Sequence, residues 1–151
     1  TELGIRHIQP VQTERTIVTR VNLERMQARA IEAAEQCERL DIPSISDLAP
    51  LKDALAKLDD KTALLHCDET GNGKSWLELI GTLKHYKKFA VLIGPEGGFS
   101  EKERKLISKH NSSYGISLGP RILKADTAII AALTLAQATA GDWDEQPRFN
   151  M

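Results

Sequence analysis

Residues 89–100 read Phe-Ala-Val-Leu-Ile-Gly-Pro-Glu-Gly-Gly-Phe-Ser, and residues 114–124 read Tyr-Gly-Ile-Ser-Leu-Gly-Pro-Arg-Ile-Leu-Lys. In each stretch a short apolar run stops at a Gly-Pro pair, and a helical pattern follows. A short apolar run bounded by turn residues is typical of a buried strand. Open α/β sheets bind ligands at loops on the carboxyl ends of parallel strands. The two stretches therefore predict an α/β domain with a small-molecule pocket built mainly from backbone.

The rest of the chain repeats this alternation of strands and helices. Without internal repeats, the alternation predicts an α/β domain with a mostly parallel sheet. Asn22 is a predicted N-cap, and Ser100 with Glu103 forms a predicted capping box. The predicted strands are 5–8, 16–19, 62–67, 89–93 and 114–118; the predicted helices are 22–40, 47–58, 74–83, 100–110 and 127–140.

Length and composition are those of one globular domain. The chain has 151 residues, of which 41% are hydrophobic and 27% charged. We expect a domain over residues 1–143, a frayed tail over 144–151, and a cytoplasmic location. No apolar stretch is long enough to cross a membrane. The first residue is Thr1 and a strand pattern begins at once, so we expect an upstream part of the protein to be missing. A net charge of −1 requires any nucleic-acid contact to use a local patch.

Cysteine and histidine usage predicts neither a disulfide nor a metal site. Cys37 and Cys67 are the only cysteines, and no CxxC spacing is present. We interpret them as two buried, reduced thiols of a cytosolic protein.

Residues 71–75, Gly-Asn-Gly-Lys-Ser, imitate the end of a phosphate-binding loop. The full pattern requires another glycine five residues before Gly73, and the residue at that position is Asp68. A carboxylate there would repel a polyphosphate and lacks the backbone freedom of glycine. We interpret residues 68–73 as a polar turn, with Lys74 in the first turn of the helix that follows.

The last predicted helix, 127–140, has few polar positions. A helix that is apolar nearly all round is buried on more than one side. In a domain of this size a second subunit is the favoured cover, which predicts a homodimer through this helix. The alternative is a helix that is wholly internal to one chain.

The two Gly-Pro loops resemble a family signature. Residues 93–100 and 118–128 are similar to the paired motifs of the RsmE family, SPOUT-class methyltransferases that methylate uridine N3 in 16S ribosomal RNA. Residues 1–4, 14–16 and 32–39 are similar to other blocks of that family, in the same order. The family usually has arginine where this chain has Lys124, and Glu-Thr where it has Asp126-Thr127. It also carries an N-terminal PUA-like RNA-binding domain, and we expect that domain to be the missing upstream part.

The resemblance implies a mostly parallel sheet with a C-terminal trefoil knot, a homodimer, and S-adenosylmethionine as cofactor. A loop containing Glu96 and no cation suits such a cationic ligand, as it would many others. Three segments would gather around the methyl donor. The expected cofactor-binding residues are Leu65, His66, Ile93, Gly94, Pro95, Glu96, Gly97, Gly98, Ser117, Leu118, Gly119, Pro120, Ile122 and Leu123.

Cations near this pocket are the candidate catalytic residues, because negative charge spreads onto the uracil oxygens as N3 loses its proton. Arg121 is the first choice, with Lys124 and Arg15 as further candidates. The alternative interpretation is that Arg121 is a structural loop arginine. Lys124 could instead contact RNA or pair with Asp126. Glu96 is a conceivable base, but its role could equally be to brace its loop.

Three further polar residues share one helix stripe, since Glu32, Gln36 and Arg39 are spaced at i, i+4 and i+7. They are candidates for contact with 16S ribosomal RNA or with a second subunit, and the alternative is a solvated face. A non-catalytic RNA-binding or dimerisation module with the same fold is the alternative function for the whole chain.

Overall fold

The computed structural model describes residues 1–17, 20–68 and 70–145. None of the helices in these ranges is both long and apolar enough to cross a bilayer. In chain order the elements are β1 (His7–Ile8), β2 (Val11–Gln12), α1 (Leu23–Gln36), β3 (Ser44–Ile45), β4 (Ala49–Pro50), α2 (Leu51–Ala56), β5 (Thr62–Cys67), β6 (Lys74–Ser75), α3 (Trp76–Leu83), β7 (Lys88–Leu92), α4 (Glu101–Ile107), β8 (Ser113–Ser117) and α5 (Ala125–Ala140).

The main sheet has four strands in the order β6-β8-β5-β7, and all its pairs are parallel. Its centre is β5, where Leu65 pairs with Val91 on one side and Tyr114 on the other. The predicted parallel α/β sheet is therefore confirmed. The predicted strands at 62–67, 89–93 and 114–118 agree with β5, β7 and β8 to within one residue.

Each face of the sheet carries one apolar cluster, because successive side chains of β5 point to opposite faces. Ala63 and Leu65 lie in the cluster covered by α3 and α5. Leu64 lies in the cluster covered by α2 and α4, together with Phe99 and Ile107. The sheet is thus a middle layer between two pairs of helices.

The N-terminal part is held to the domain by two short parallel pairs, β1 with β3 and β2 with β4. Only β1, inside the predicted strand 5–8, was expected. The predicted strand 16–19 is wrong in its described part, because Thr16 and Ile17 lie in no strand; residues 18 and 19 lie outside the described residues. The expected tail 144–151 lies outside them from residue 146 onward.

Helix α1 begins as predicted, since Asn22 Oδ1 accepts a hydrogen bond from the N–H of Arg25. It ends at Gln36, and the prediction that it reaches residue 40 is wrong. Glu38 has a φ of 56°, and the N–H of Arg39 donates to the carbonyl of Ala34 at 2.9 Å. This is a Schellman ending, which usually has glycine at the left-handed position.

Two other predicted helices begin too early. The helix predicted over 47–58 is Leu51–Ala56, because Ala49 and Pro50 pair with β2. The helix predicted over 74–83 begins at Trp76, because Lys74 and Ser75 pair with β8. Helix α5 begins at Ala125, two residues before its predicted start.

Asp59 fixes the turn into β5 and makes the stability of the domain depend on pH. Its carboxylate accepts hydrogen bonds from Thr62 Oγ1 at 2.6 Å and Lys88 Nζ at 2.9 Å. These contacts, the Thr62 bond first, lower the pKa of Asp59 from 3.8 to about 2. A lowered folded-state pKa stabilises the fold above the unfolded pKa, and the contribution is lost as pH falls through the folded pKa.

We therefore expect the stability advantage of the wild type over Asp59→Asn to be constant above about pH 5 and to disappear between about pH 4 and pH 2. Urea denaturation of both proteins at pH 7, 4 and 2.5 measures this difference. An advantage that is equal at all three pH values would contradict the assignment.

Candidate functional site

The candidate site lies at the carboxyl edge of the main sheet. His66 is level with Leu92 on one neighbouring strand and with Gly115 on the other. The segments that follow β7, β5 and β8 therefore leave the sheet side by side. Neighbouring strands are about 4.8 Å apart, so the two outer segments start about 10 Å from each other. The sheet thus brings together the three segments that the sequence places around the pocket.

The segment that follows β7 is a tight turn over residues 93–98. The N–H of Gly98 donates to the carbonyl of Pro95 at 2.8 Å, and Gly98 has a φ of 65°. Gly94 lies on the ring of Phe99, where a Cβ would approach the ring to 3.1 Å. Within the described residues the N–H groups of Glu96 and Gly97 have no hydrogen-bond partner. The turn is therefore closed by a backbone hydrogen bond and packed on Phe99, and two of its backbone donors are available.

Arg15 lies against this turn. Its Nη1 donates a hydrogen bond to the carbonyl of Gly97, and a Cβ on Gly97 would lie 3.2 Å from its side chain. Arg15 is carried by a turn in which the N–H of Thr16 donates to the carbonyl of Thr13 at 3.1 Å. The structure thus places this candidate catalytic residue at the predicted pocket, where it contacts the backbone of the 93–98 turn.

The segment that follows β8, residues 118–124, is more open. Gly119 has a φ of 102°, and a Cβ there would meet no atom within 4 Å. Ile122 is 92% exposed. In the part of the chain that the structure describes, the N–H groups of Ile122 and Leu123 have no hydrogen-bond partner. Both backbone donors are therefore available to a ligand at this edge of the sheet.

Arg121 and Lys124 are both exposed. Over residues 1–17, 20–68 and 70–145 neither side chain forms a hydrogen bond or an ion pair. Lys124 is the N-cap of α5 and makes no capping bond with its side chain. A cation at a helix N-terminus is unfavourable because the helix dipole is positive there. Local stability therefore does not explain this lysine, which is consistent with a role toward a ligand.

The segment that follows β5 borders a cleft of about 450 Å³, the polar cleft, whose lining residues mostly carry polar or charged side chains. Leu65 itself is fully buried in the core, so its side chain supports the edge from inside. The His66 ring lies over Gly115, with Nδ1 3.2 Å from the carbonyl oxygen of Tyr114. The sequence did not predict this cleft. Its lining residues are His66, Cys67, Asp68, Thr70, Asn72, Phe99, Glu101, Arg104, Lys105 and Ser108.

The predicted stripe on α1 is divided by the structure. Glu32 and Gln36 are exposed. Arg39 lies beyond the end of α1 and donates to the carbonyls of Thr1 and Ile5 at 2.6 and 3.0 Å. It also pairs with Asp41 at 2.7 Å. Arg39 would have to break these hydrogen bonds and this ion pair in order to contact RNA.

The segment that resembles the end of a phosphate-binding loop forms a turn and a helix cap. Asp68 Oδ1 accepts from the N–H and Oγ1 of Thr70, as expected of a polar turn. Ser75 caps α3, where Glu78 Oε2 accepts from its N–H at 2.8 Å.

The predicted burial of both thiols is wrong for Cys37, which is exposed, whereas Cys67 is half-buried. Among the residues that the structure describes, no three His, Cys, Asp or Glu side chains cluster in a way that could hold a metal ion.

Comparison with known proteins assigns the chain to a family. A model of the RNA methyltransferase domain matches residues 1–137. The chain belongs to this family. Ribosomal RNA small subunit methyltransferase E from Rickettsia conorii is 32% identical over 145 residues, which are 96% of this chain and 59% of that protein. The protein of the same name from Bacillus subtilis is 28% identical, over 89% of this chain and 56% of that protein.

Solved structures of the family have the same fold. A crystal structure of ribosomal RNA small subunit methyltransferase E from Neisseria gonorrhoeae bound to S-adenosylmethionine has a TM-score of 0.81 and 32% identity, covering 94% of this chain and 58% of that one. A Legionella pneumophila protein in complex with S-adenosylmethionine has a TM-score of 0.77 and 34% identity, covering 91% of this chain and 57% of that one. The resemblance predicted from the paired Gly-Pro motifs is confirmed. The chain spans less than three-fifths of the length of these relatives.

The residues at the carboxyl edge fit S-adenosylmethionine. The free N–H groups of the turns suit the polar atoms of an adenosine, and the open space beside Gly119 accommodates a flat ring. Glu96 is an exposed carboxylate, which suits a ligand with a sulfonium and an ammonium group.

Proposed function

We propose that this chain is the methyltransferase domain of an RsmE-type enzyme that uses S-adenosylmethionine to methylate uridine N3 in 16S ribosomal RNA, in the cytoplasm. The observation that carries the proposal is the convergence of the three segments at one carboxyl edge, with free backbone donors on two of them. The family match over residues 1–137 supports the same activity. The proposed methyltransferase domain covers residues 1–143.

The donor pocket is formed by the turn 93–98 and the segment 117–123, with the end of β5 between them. When bound there, S-adenosylmethionine supplies an electrophilic methyl group on its sulfonium. Glu96 would face that positive charge, and the N–H groups of Gly97 and Leu123 would orient the donor. Holding the methyl group and the base in line removes much of the entropic barrier to transfer.

The cations of the site act on the uracil. Its N3 is a poor nucleophile until its proton leaves, and the negative charge then spreads onto the neighbouring ring oxygens. Arg121 lies in the donor segment with its guanidinium free to donate to such an oxygen, and Lys124 adds charge at the start of α5. Arg15 contributes by holding the carbonyl of Gly97 and by its charge. Preorganised donors of this kind stabilise the transition state because they need no reorganisation during the reaction.

Methylation of isolated small ribosomal subunits that lack the modification tests the proposal. With S-adenosylmethionine labelled in its methyl group, we expect incorporation into 16S ribosomal RNA and 3-methyluridine on nuclease digestion and mass spectrometry. A chain that binds the RNA but neither binds nor consumes the donor would be the non-catalytic RNA-binding module instead.

The sheet order supports a trefoil knot. Strands β5 and β6 are consecutive in the chain, yet β8 lies between them. Both ends of the connection between β5 and β6 lie on the end of β8: the N–H of Asp68 donates to the carbonyl of Ile116 at 3.0 Å, and Gly73 lies against the backbone of Ile116 and Ser117. We propose that the chain leaving β8 passes under this connection on its way to α5. The loop 118–124 is then held inside the knot, beside the donor.

A homodimer through α5 is supported by the side chains that this helix leaves uncovered. Ala128, Ala132 and Ala136 pack inward, whereas Ile129 and Ile130 are 39% and 57% exposed. A helix wholly internal to one chain would leave neither isoleucine accessible. In such a dimer the exposed Glu32 and Gln36 of one subunit are candidates to contact its partner or the RNA.

Replacing Ile130 with glutamate is expected to convert the dimer to a monomer, because a charge would be buried without a partner at the interface. Light scattering on an eluting size-exclusion column measures the mass directly. Leu77→Glu is the control, since Leu77 is 84% exposed on α3. A dimer that survives Ile130→Glu, or a wild type that is monomeric, would rule out this interface.

A further inference from the structure

Glu103 is a buried carboxylate whose two oxygens are used in different ways. It occupies the third position of α4 and is 7% exposed. Its Oε2 accepts from the N–H of Ser100 at 2.8 Å, which completes the capping box. Its Oε1 accepts from the N–H of Glu14 at 2.8 Å, across 89 positions of sequence. One side chain therefore joins the start of α4 to the N-terminal part of the chain.

Helix α3 carries the same capping box without the second bond. Glu78 Oε2 alone accepts from both the N–H and the Oγ of Ser75, at 2.8 and 2.6 Å. Glu78 is exposed, whereas Glu103 is buried. A capping box therefore needs only one carboxylate oxygen, and burial is not required for it. The bond from Glu103 to Glu14 is an additional function of that residue.

The bond reaches the turn that carries Arg15. Thr13 and Thr16 close this turn with a hydrogen bond between their hydroxyls at 2.7 Å. Glu14 and Arg15 form its tip, so the N–H held by Glu103 is adjacent to Arg15. The guanidinium of Arg15 then holds the carbonyl of Gly97. Ser100, the other residue bonded to Glu103, is two residues past the end of the 93–98 turn.

We propose that Glu103 is a positioning residue for the methyl-donor site: it fixes the turn 13–16 and the start of α4 at one carboxylate, and so holds Arg15 on Gly97. The inference rests on the proposed function, since it takes the turn 93–98 as one wall of the donor pocket. Glu103 acts through Arg15 and the backbone of that turn and does not itself contact the donor.

Two variants break the link in different ways. Glu103→Gln leaves one carbonyl oxygen to accept from the N–H groups of both Ser100 and Glu14. The amide nitrogen of the glutamine then faces one of these N–H groups, and two donors cannot form a hydrogen bond. Glu14→Pro removes the N–H that donates to Glu103 Oε1. Glu14 is the second residue of its β-turn, a position where proline is favoured. Glu14→Ala keeps that N–H, and Glu78→Gln changes the equivalent residue of the other capping box. These two are the matched controls.

Isothermal titration of the full chain with S-adenosylmethionine, at a temperature where all variants are folded, tests the proposal. We expect Glu103→Gln and Glu14→Pro each to weaken binding by about tenfold, the size of one lost hydrogen bond, because Arg15 is then no longer held on Gly97. Glu14→Ala and Glu78→Gln should bind like the wild type, even if Glu78→Gln loses stability toward urea. In an Arg15→Ala background, Glu103→Gln should weaken binding much less than it does alone.

Each failure has a separate meaning. A folded wild type that does not bind S-adenosylmethionine would overturn the proposed function. A wild type that binds, with Glu103→Gln and Glu14→Pro binding equally well, would overturn the positioning role alone. So would an effect of Glu103→Gln that is undiminished without Arg15. If Glu103→Gln does not fold, Glu14→Pro against Glu14→Ala decides the matter.

Discussion

Arg121→Ala is expected to slow methyl transfer to 16S ribosomal RNA by about a hundredfold to a thousandfold, the usual effect of removing one preorganised donor to a developing oxyanion. Affinity for S-adenosylmethionine should stay within about threefold of the wild type, since the guanidinium is assigned to the uracil. Arg121 forms no ion pair or hydrogen bond in the described part of the chain, so its removal should leave the stability unchanged within about 0.5 kcal/mol. Single-turnover methylation with saturating donor measures the chemical step.

Lys61→Ala is the matched control for Arg121→Ala. Lys61 is an exposed cation one residue before β5, at the opposite edge of the sheet. Its loss should leave the transfer rate unchanged. Arg121→Lys should retain part of the rate, because it keeps the charge but not the planar pair of donors. Normal turnover of Arg121→Ala would contradict the role given to this residue.

Gly73→Ala is expected to lower the free energy of unfolding by about 2–3 kcal/mol, as overpacking against a rigid neighbour does. A Cβ at Gly73 would lie 2.7 Å from the carbonyl carbon of Ile116 and 2.8 Å from the nitrogen of Ser117. Both are backbone atoms at the end of β8, so no side chain can move aside. The segment 118–124 starts there, and we expect the affinity for S-adenosylmethionine to fall together with stability.

Gly81→Ala is the control for a glycine without close neighbours. Gly81 lies in α3, and a Cβ there would meet no atom within 4 Å. This change should raise the free energy of unfolding by about 0.5–1 kcal/mol and leave donor binding unchanged. Chemical denaturation of the three proteins gives the stabilities. A Gly73→Ala protein as stable as the wild type would show that Gly73 is not packed on the backbone of β8.

The sequence predicted the elements whose signals are local. Strands β5, β7 and β8 are apolar runs that end at turn residues, and the box of Ser100 and Glu103 marks the start of α4. The two Gly-Pro loops follow directly from those strand ends. Their convergence at one edge then required only that the sheet be parallel.

The elements that were missed depend on distant partners. Strands β1 to β4 are two residues long and exist only because they pair with each other across the chain. The end of α1 has Glu38 at a position where glycine is usual. Its C-terminal neighbour Arg39 is held by the carbonyls of Thr1 and Ile5, and no local pattern reveals that contact.

The loops of the candidate site could be placed from the sequence, but the contacts between its residues could not. Arg15 was a candidate because of its motif, but its bond to Gly97 joins residues 82 positions apart. Glu103 was visible only as a capping residue, because its second bond reaches Glu14 through the fold. The polar cleft beside α4 has no sequence signal, since a loop and a helix far apart in the chain form its walls.

A crystal structure of this chain with S-adenosylmethionine tests the central claim most directly. The account predicts the donor at the carboxyl edge, with its adenosine against the backbone of 93–98 and 117–123 and its methyl group facing Arg121. A donor bound instead in the cleft between His66 and α4, or no donor at saturating concentration, would contradict it.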